Sequence, residues 1–87
     1  MTPREAVDIY RKNVKENYKI DFLNQTKNYF VFLTEKDRSP ERTPSYYVNK
    51  NTGKLIDGFK PSPESGKAWE ELADIIGAPP IPASEYL

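Results

Sequence analysis

The sequence predicts an α+β domain: an N-terminal helix, an antiparallel sheet of three to four strands, a C-terminal helix and an extended proline-rich tail. Three observations carry this expectation. A capping residue followed by proline occurs twice, at Thr2-Pro3-Arg4-Glu5 and Ser62-Pro63-Glu64, each time ahead of apolar residues at helical spacing. Between them lies Tyr29-Phe30-Val31-Phe32-Leu33, an unbroken run of β-favouring residues. Finally, Tyr46-Tyr47-Val48 and Lys54-Leu55-Ile56 flank a turn at Asn51-Thr52-Gly53.

In chain order, Thr2 can cap the first helix, Pro3 suits its first position and Glu5 can return a bond to the cap backbone. Ala6, Val7, Tyr10, Val14 and Tyr18 then form one apolar stripe, with Arg4, Asp8, Arg11, Lys12, Lys15 and Glu16 largely outside it. Ile20-Asp21-Phe22-Leu23 reads as a short strand and Asn24-Gln25-Thr26-Lys27-Asn28 as a polar turn. The Tyr29–Leu33 run is apolar on both faces, which places it centrally, covered on each side. Residues 35–44 are charged, hold two prolines and lack periodicity, so they are expected to form a mobile surface loop.

At the hairpin, Gly53 can take the positive φ that a bulged turn requires, and Gly58 with Pro61 ends the ladder. Ala68, Trp69, Leu72, Ala73 and Ile76 supply the stripe of the second helix, which stops at Gly77. Ala78-Pro79-Pro80-Ile81-Pro82 cannot be helical and is expected to leave as a semi-rigid arm, with Ile81 or Tyr86 packing back on the body. The expected organisation is thus one domain over residues 1–77 and a tail over 78–87.

A chain of 87 residues buries only about 60% of its unfolded surface, so its core is thin and must lean on large aromatic side chains. It has no cysteine and no histidine. That removes disulfides, thiolate nucleophiles, the commonest metal ligand and the commonest general base. Ser45 and Ser65 remain as hydroxyl nucleophiles, but no base stands at a telling spacing, so no catalytic residue, metal or cofactor is expected.

Basic and acidic residues number 13 each, and their distribution is uneven. Residues 1–61 carry 12 basic and 8 acidic side chains, while residues 62–87 carry Lys67 against Glu64, Glu70, Glu71, Asp74 and Glu85. The C-terminal part therefore presents an acidic face. No membrane span and no secretory signal are legible, which makes the cytoplasm the expected location.

Several motifs yield to simpler readings. Ser65-Gly66-Lys67 has Pro61 where a phosphate-binding loop has its first glycine and Ala68 where it has Ser or Thr, so it reads as an ordinary helix start. Glu70, Glu71 and Asp74 on one helix cannot surround a hard cation. The rings of Tyr29, Phe30, Phe32, Tyr46 and Tyr47 with nearby lysines suggest a platform for single-stranded nucleic acid. Strand alternation, however, sends about half of them into the core.

Tyr46-Tyr47-Val48-Asn49-Lys50-Asn51-Thr52-Gly53-Lys54-Leu55 resembles the V-D-K-x-T-G hairpin of several small families, with Asn49 in place of the aspartate. From the first helix through this hairpin the layout is similar to PepSY-type domains, to small toxin-immunity proteins and to short uncharacterised phage and prophage proteins. The resemblance covers residues 2–59 and transfers no functional residue. The lack of catalytic side chains, the charged loop and the acidic second helix lead to the expectation of an accessory or inhibitor-like protein that binds another protein, and the resemblance implies that a phage or mobile element encodes it. The alternatives are an immunity protein or a virion component that self-assembles as a homo-oligomer. The expected contact residues are Glu35, Asp37, Arg38, Glu41 and Arg42 in the charged loop, and Glu70, Glu71 and Asp74 on the second helix.

Overall fold

The apolar run at Tyr29–Leu33 does take the centre of the sheet, buried from Tyr29 to Phe32 and partly exposed at Leu33. The computed structural model describes residues 1–38 and 43–87. Four strands, β1 (Ile20–Gln25), β2 (Tyr29–Thr34), β3 (Tyr46–Asn49) and β4 (Leu55–Asp57), pair antiparallel in the order β1-β2-β3-β4. Helix α1 (Pro3–Asn13) packs on one face and helix α2 (Pro63–Leu72) on the other. The fold is α+β, as the sequence predicts.

Both helices begin as read. Thr2 and Glu5 exchange backbone bonds of 3.2 and 3.0 Å, and Ser62 and Ser65 do the same at 3.1 Å each, with proline in the first turn of both helices. Each box satisfies donors that the first turn of a helix leaves without intrahelical partners.

Alternation along β2 divides the core. Phe30 and Phe32 point to the α1 side, where Ala6, Val7, Tyr10, Val14, Leu23 and Val48 are buried with them. Tyr10 stacks on Phe32 at 5.1 Å between ring centroids and meets Tyr46 edge-on at 5.7 Å. Tyr29 and Val31 point to the α2 side with Tyr47, Ile56 and Ala68. On this side the cross-strand row reads Asn24, Val31, Tyr47, Ile56, so its β1 end is polar.

The hairpin turn forms at Asn51-Thr52-Gly53 with Gly53 at φ +71°. It is held from one side by Asn49, whose Oδ1 accepts from the N–H groups of Asn51 (2.8 Å) and Thr52 (3.1 Å). Such side-chain mimicry of a turn is what Asn does well.

Four expectations need correction. The α1 stripe stops at Val14, because the helix ends at Asn13 and Asn17 turns left-handed at φ +50°; Tyr18 lies beyond the helix and accepts a bond from the Tyr10 hydroxyl. Strand β1 takes in Asn24 and Gln25, which read as turn, and a bulge between Ile20 and Phe22 sets these two on opposite faces, Ile20 on the α1 side and Phe22 opposite Leu33 on the α2 side. Helix α2 tightens into a 3-10 turn at Ala73–Ile75, and this rotates the following residues. Ala68 and Leu72 face the sheet with Ile75, while Ala73 and Ile76 do not and Trp69 is 43% exposed.

The fourth correction concerns the charged loop. It opens as a 3-10 turn, Glu35–Asp37, whose Asp37 is 5% exposed. Asp37 accepts from the Thr34 N–H, from the Thr34 hydroxyl and from the Ser45 hydroxyl, which removes this residue from the surface.

After Gly77, at φ +82°, the tail passes the free edge of β1. The Ile81 N–H donates to the Leu23 carbonyl at 2.7 Å, and Ile81 and Tyr86 enter the α1-side core. Arg4 then donates to the Leu87 carbonyl at 2.5 Å. The tail thus carries the chain from the α2 side of the sheet to the α1 side. Among the described residues no helix is long and apolar enough to cross a membrane.

Candidate functional site: an apolar groove beside the second helix

Helix α2 is ten residues long and covers only part of its face of the sheet. Three polar contacts fix it there. Near its start, Asn49 donates to Glu64 at 2.6 Å. On one flank Glu71 accepts from the Thr26 hydroxyl (2.7 Å), the Asn28 N–H (3.0 Å) and the Asn28 side-chain amide (2.9 Å). On the other flank the Trp69 indole donates to the Gly58 carbonyl at 2.9 Å. Hydrogen bonds to a charged acceptor are worth more than neutral ones, so Glu71 is the strongest of these anchors.

Gly58 is itself required by close approach. A Cβ there would lie 2.7 Å from Cε2 of Tyr47 and 3.2 Å from the Pro44 carbonyl. Because Tyr47 is fully buried and Pro44 is held through its backbone, neither can yield cheaply.

The part of this face left uncovered by the described residues is a groove of about 370 Å³. Its floor is Asn24, Val31 and Leu33; α2 and the turn after it supply a wall of Trp69, Leu72, Ile75 and Ile76; Thr43 and Pro44 close one end. Ile76 is 85% exposed, and Phe22, 45% exposed, lies opposite Leu33. Asn24 places its side-chain amide in the floor, and its Oδ1 is buried without a hydrogen-bond partner among the described residues.

Two other hollows are lined by charges of both signs. One, beside β4, has Lys54 and Lys60 with Asp57 and Glu64; the other, between α1 and the tail, has Arg11 and Lys19 with Asp21 and Glu35. The groove beside α2 has no charged side chain in its lining among the described residues.

The residues singled out by sequence scatter. Glu35 and Arg38 are exposed, and Arg38 forms a two-bond pair with Asp21 at 2.6 and 2.7 Å, which holds its guanidinium above the usual arginine range. Asp37 is buried in internal bonds, and Glu41 and Arg42 lie outside the described residues. Glu70 and Asp74 are exposed one turn apart on α2. Glu71 faces inward; burial pushes its carboxyl up, but the bonds from Asn28 and Thr26 outweigh this and hold it below the ordinary range. Among the described residues no three acidic side chains converge as metal ligands would.

The two serine hydroxyls are also engaged. Ser45, 2% exposed, donates to Asp37, and Ser65, 5% exposed, belongs to the α2 cap. The rings considered as a nucleic-acid platform are largely enclosed: Tyr29, Phe30, Phe32 and Tyr47 are all buried.

The groove escaped the sequence reading because it is made by an absence of cover. Trp69 and Ile76 sit at helical spacing with Leu72 and look like core. The available signal was the short span between Ser62 and Gly77, too little helix to cover four strands. Comparison of the chain with protein-family profiles, with curated proteins and with solved structures gives no match.

Proposed function

We propose that this is a cytoplasmic, non-catalytic domain of the accessory or inhibitor-like kind, which binds another protein through the groove beside α2. One observation carries the reading: Trp69 and Ile76 stand exposed around a groove that holds no charged side chain among the described residues and whose wall, α2, is fixed by polar contacts on both flanks. A rigid apolar recess with a large aromatic at its rim is the arrangement in which a few partner side chains can supply most of a binding energy. The engaged state of Ser45 and Ser65 supports a binding role over a nucleophilic one.

Selection from a displayed random peptide library tests this, with the wild-type domain and the Ile76→Asp variant run in parallel. Enrichment of sequences with large apolar anchors on the wild type, lost on the variant, is the expected result. Enrichment that ignores the substitution, or none at all, would overturn it.

Self-assembly through a sheet edge is the weaker reading. The β1 edge is crossed by the tail at Leu23, and β4 is three residues long with Lys54 beside it, both of which discourage edge pairing. Sedimentation showing a concentration-dependent oligomer would revive it.

A further inference from the structure

Residues 78–87 hold their shape largely by themselves. Pro79, Pro80 and Pro82 restrict the backbone of the first half. In the second half a 3-10 turn, Ala83–Glu85, closes its own bonds: the Glu85 N–H donates to the Pro82 carbonyl at 3.0 Å, and the Tyr86 and Leu87 N–H groups donate to the Ala83 carbonyl at 3.1 and 2.9 Å.

The ties of this segment to the body lie at the rim of the α1-side core. The Ile81 N–H reaches the Leu23 carbonyl, Arg4 reaches the Leu87 carbonyl, and Ile81 and Tyr86, at 9% each, are the most exposed of the buried residues on that side. Beside them a hollow of about 530 Å³ separates Ala83 and Tyr86 from Arg11, Tyr18 and Ile20, so the two surfaces meet over only part of their extent. At the other end Gly77 stands at φ +82°, a Cβ there would meet nothing within 4 Å, and residues 76–80 are exposed. A glycine in open space turns at little cost.

We propose that residues 78–87 are a strap that lifts off and reseats as one unit about Gly77 while both helices and all four strands stay folded. Seated, it covers the β1 edge at Leu23 and fills the rim of the core with Ile81 and Tyr86; lifted, it leaves both open. Local opening of this kind draws on parts with few buried contacts, and strand β2, paired on both sides and buried from Tyr29 to Phe32, opens last.

Native-state hydrogen exchange on the intact chain, followed by NMR over a series of low denaturant concentrations, tests this, because the Ile81 amide itself bonds across from strap to sheet. After correction for intrinsic rates, the Ile81 amide is expected to be protected, yet to exchange at least about a hundredfold faster than the slowest amides of β2, with a weaker dependence on denaturant. Gly58→Ala, which strains the sheet beyond β4 at the opposite edge from the strap, speeds exchange in β2 and leaves Ile81 at the wild-type rate. If Ile81 exchanges at the β2 rate with the β2 denaturant dependence, or is accelerated along with β2 by Gly58→Ala, the strap leaves only when the whole domain unfolds and the proposal is overturned. An unprotected Ile81 amide overturns it equally, since the strap is then not seated.

Discussion

The two faces of the sheet are built from the same four strands and put to different uses. On the α1 side, helix and tail close over Leu23, Phe30, Phe32 and Val48, and the aromatic rings of Tyr10, Phe32 and Tyr46 pack edge and face. On the α2 side, five residues form the buried cluster and the rest of the face opens into the groove. The closed face supplies the stability that lets the second remain open, and the open face is held rigid by polar contacts to α2 in place of bulk.

The sharpest way to break that contrast is to truncate one aromatic on each side. Tyr10→Ala removes a fully buried ring from the closed face and is expected to cost about 3–5 kcal/mol in denaturant unfolding. Trp69→Ala, on the open side, is expected to cost less than half as much. Equal costs would mean that both faces bear the load alike.

Gly58→Ala probes the support of the open face. The added methyl meets the buried Tyr47 ring and is expected to cost about 1–3 kcal/mol. It should also shift Trp69 emission, because the Gly58 carbonyl holds the indole. A stability loss without a change in emission would separate the groove wall from this contact.

Next in size is Glu71→Gln. The carboxyl of Glu71 lies below its ordinary value of 4.5 in the folded chain. Its contribution is therefore present above the unfolded-state value and is lost as pH falls through the folded one. Glu71→Gln is expected to lose about 1 kcal/mol at neutral pH, and the gap to wild type should narrow toward pH 3. A gap independent of pH would show that Glu71 acts only by its shape.

The smallest effect is expected at Tyr47. Its hydroxyl is buried with no partner among the described residues, and burial together with the nearby Asp37 charge pushes its pKa well up. Tyr47→Phe removes an unpaired polar group and should be neutral or stabilising by up to about 1 kcal/mol. A clear loss would reveal a bond that this hydroxyl makes in solution.

Much of the fold is legible in the residues. The two cap-then-proline signals start both helices, the β2 run goes to the centre, and Gly53 turns the hairpin. Local patterns of this kind are settled by neighbours in sequence. What stayed hidden depends on contacts distant in sequence or on one-residue shifts. The bulge beside Asp21 sets Ile20 and Phe22 on opposite faces without any glycine to mark it. The burial of Asp37 follows from Ser45, on the far side of the loop, reaching back to it. The groove is the extreme case, since no single residue encodes what a helix fails to cover. Of the expected contact residues that are described, none lines the groove; Glu70 and Asp74 are exposed on α2 and the turn after it.

The tail has a consequence for the order in which the chain is made. Ile81 and Tyr86 are synthesised after everything they pack against, and Ile81 supplies the bond that meets the Leu23 carbonyl on the β1 edge. A nascent chain that has released both helices and all four strands still shows an incomplete α1-side core and an unguarded strand edge. Completion of this face therefore waits on the emergence of Ile81 and Tyr86 from the ribosome, and until then the chain is open to mispairing along the β1 edge.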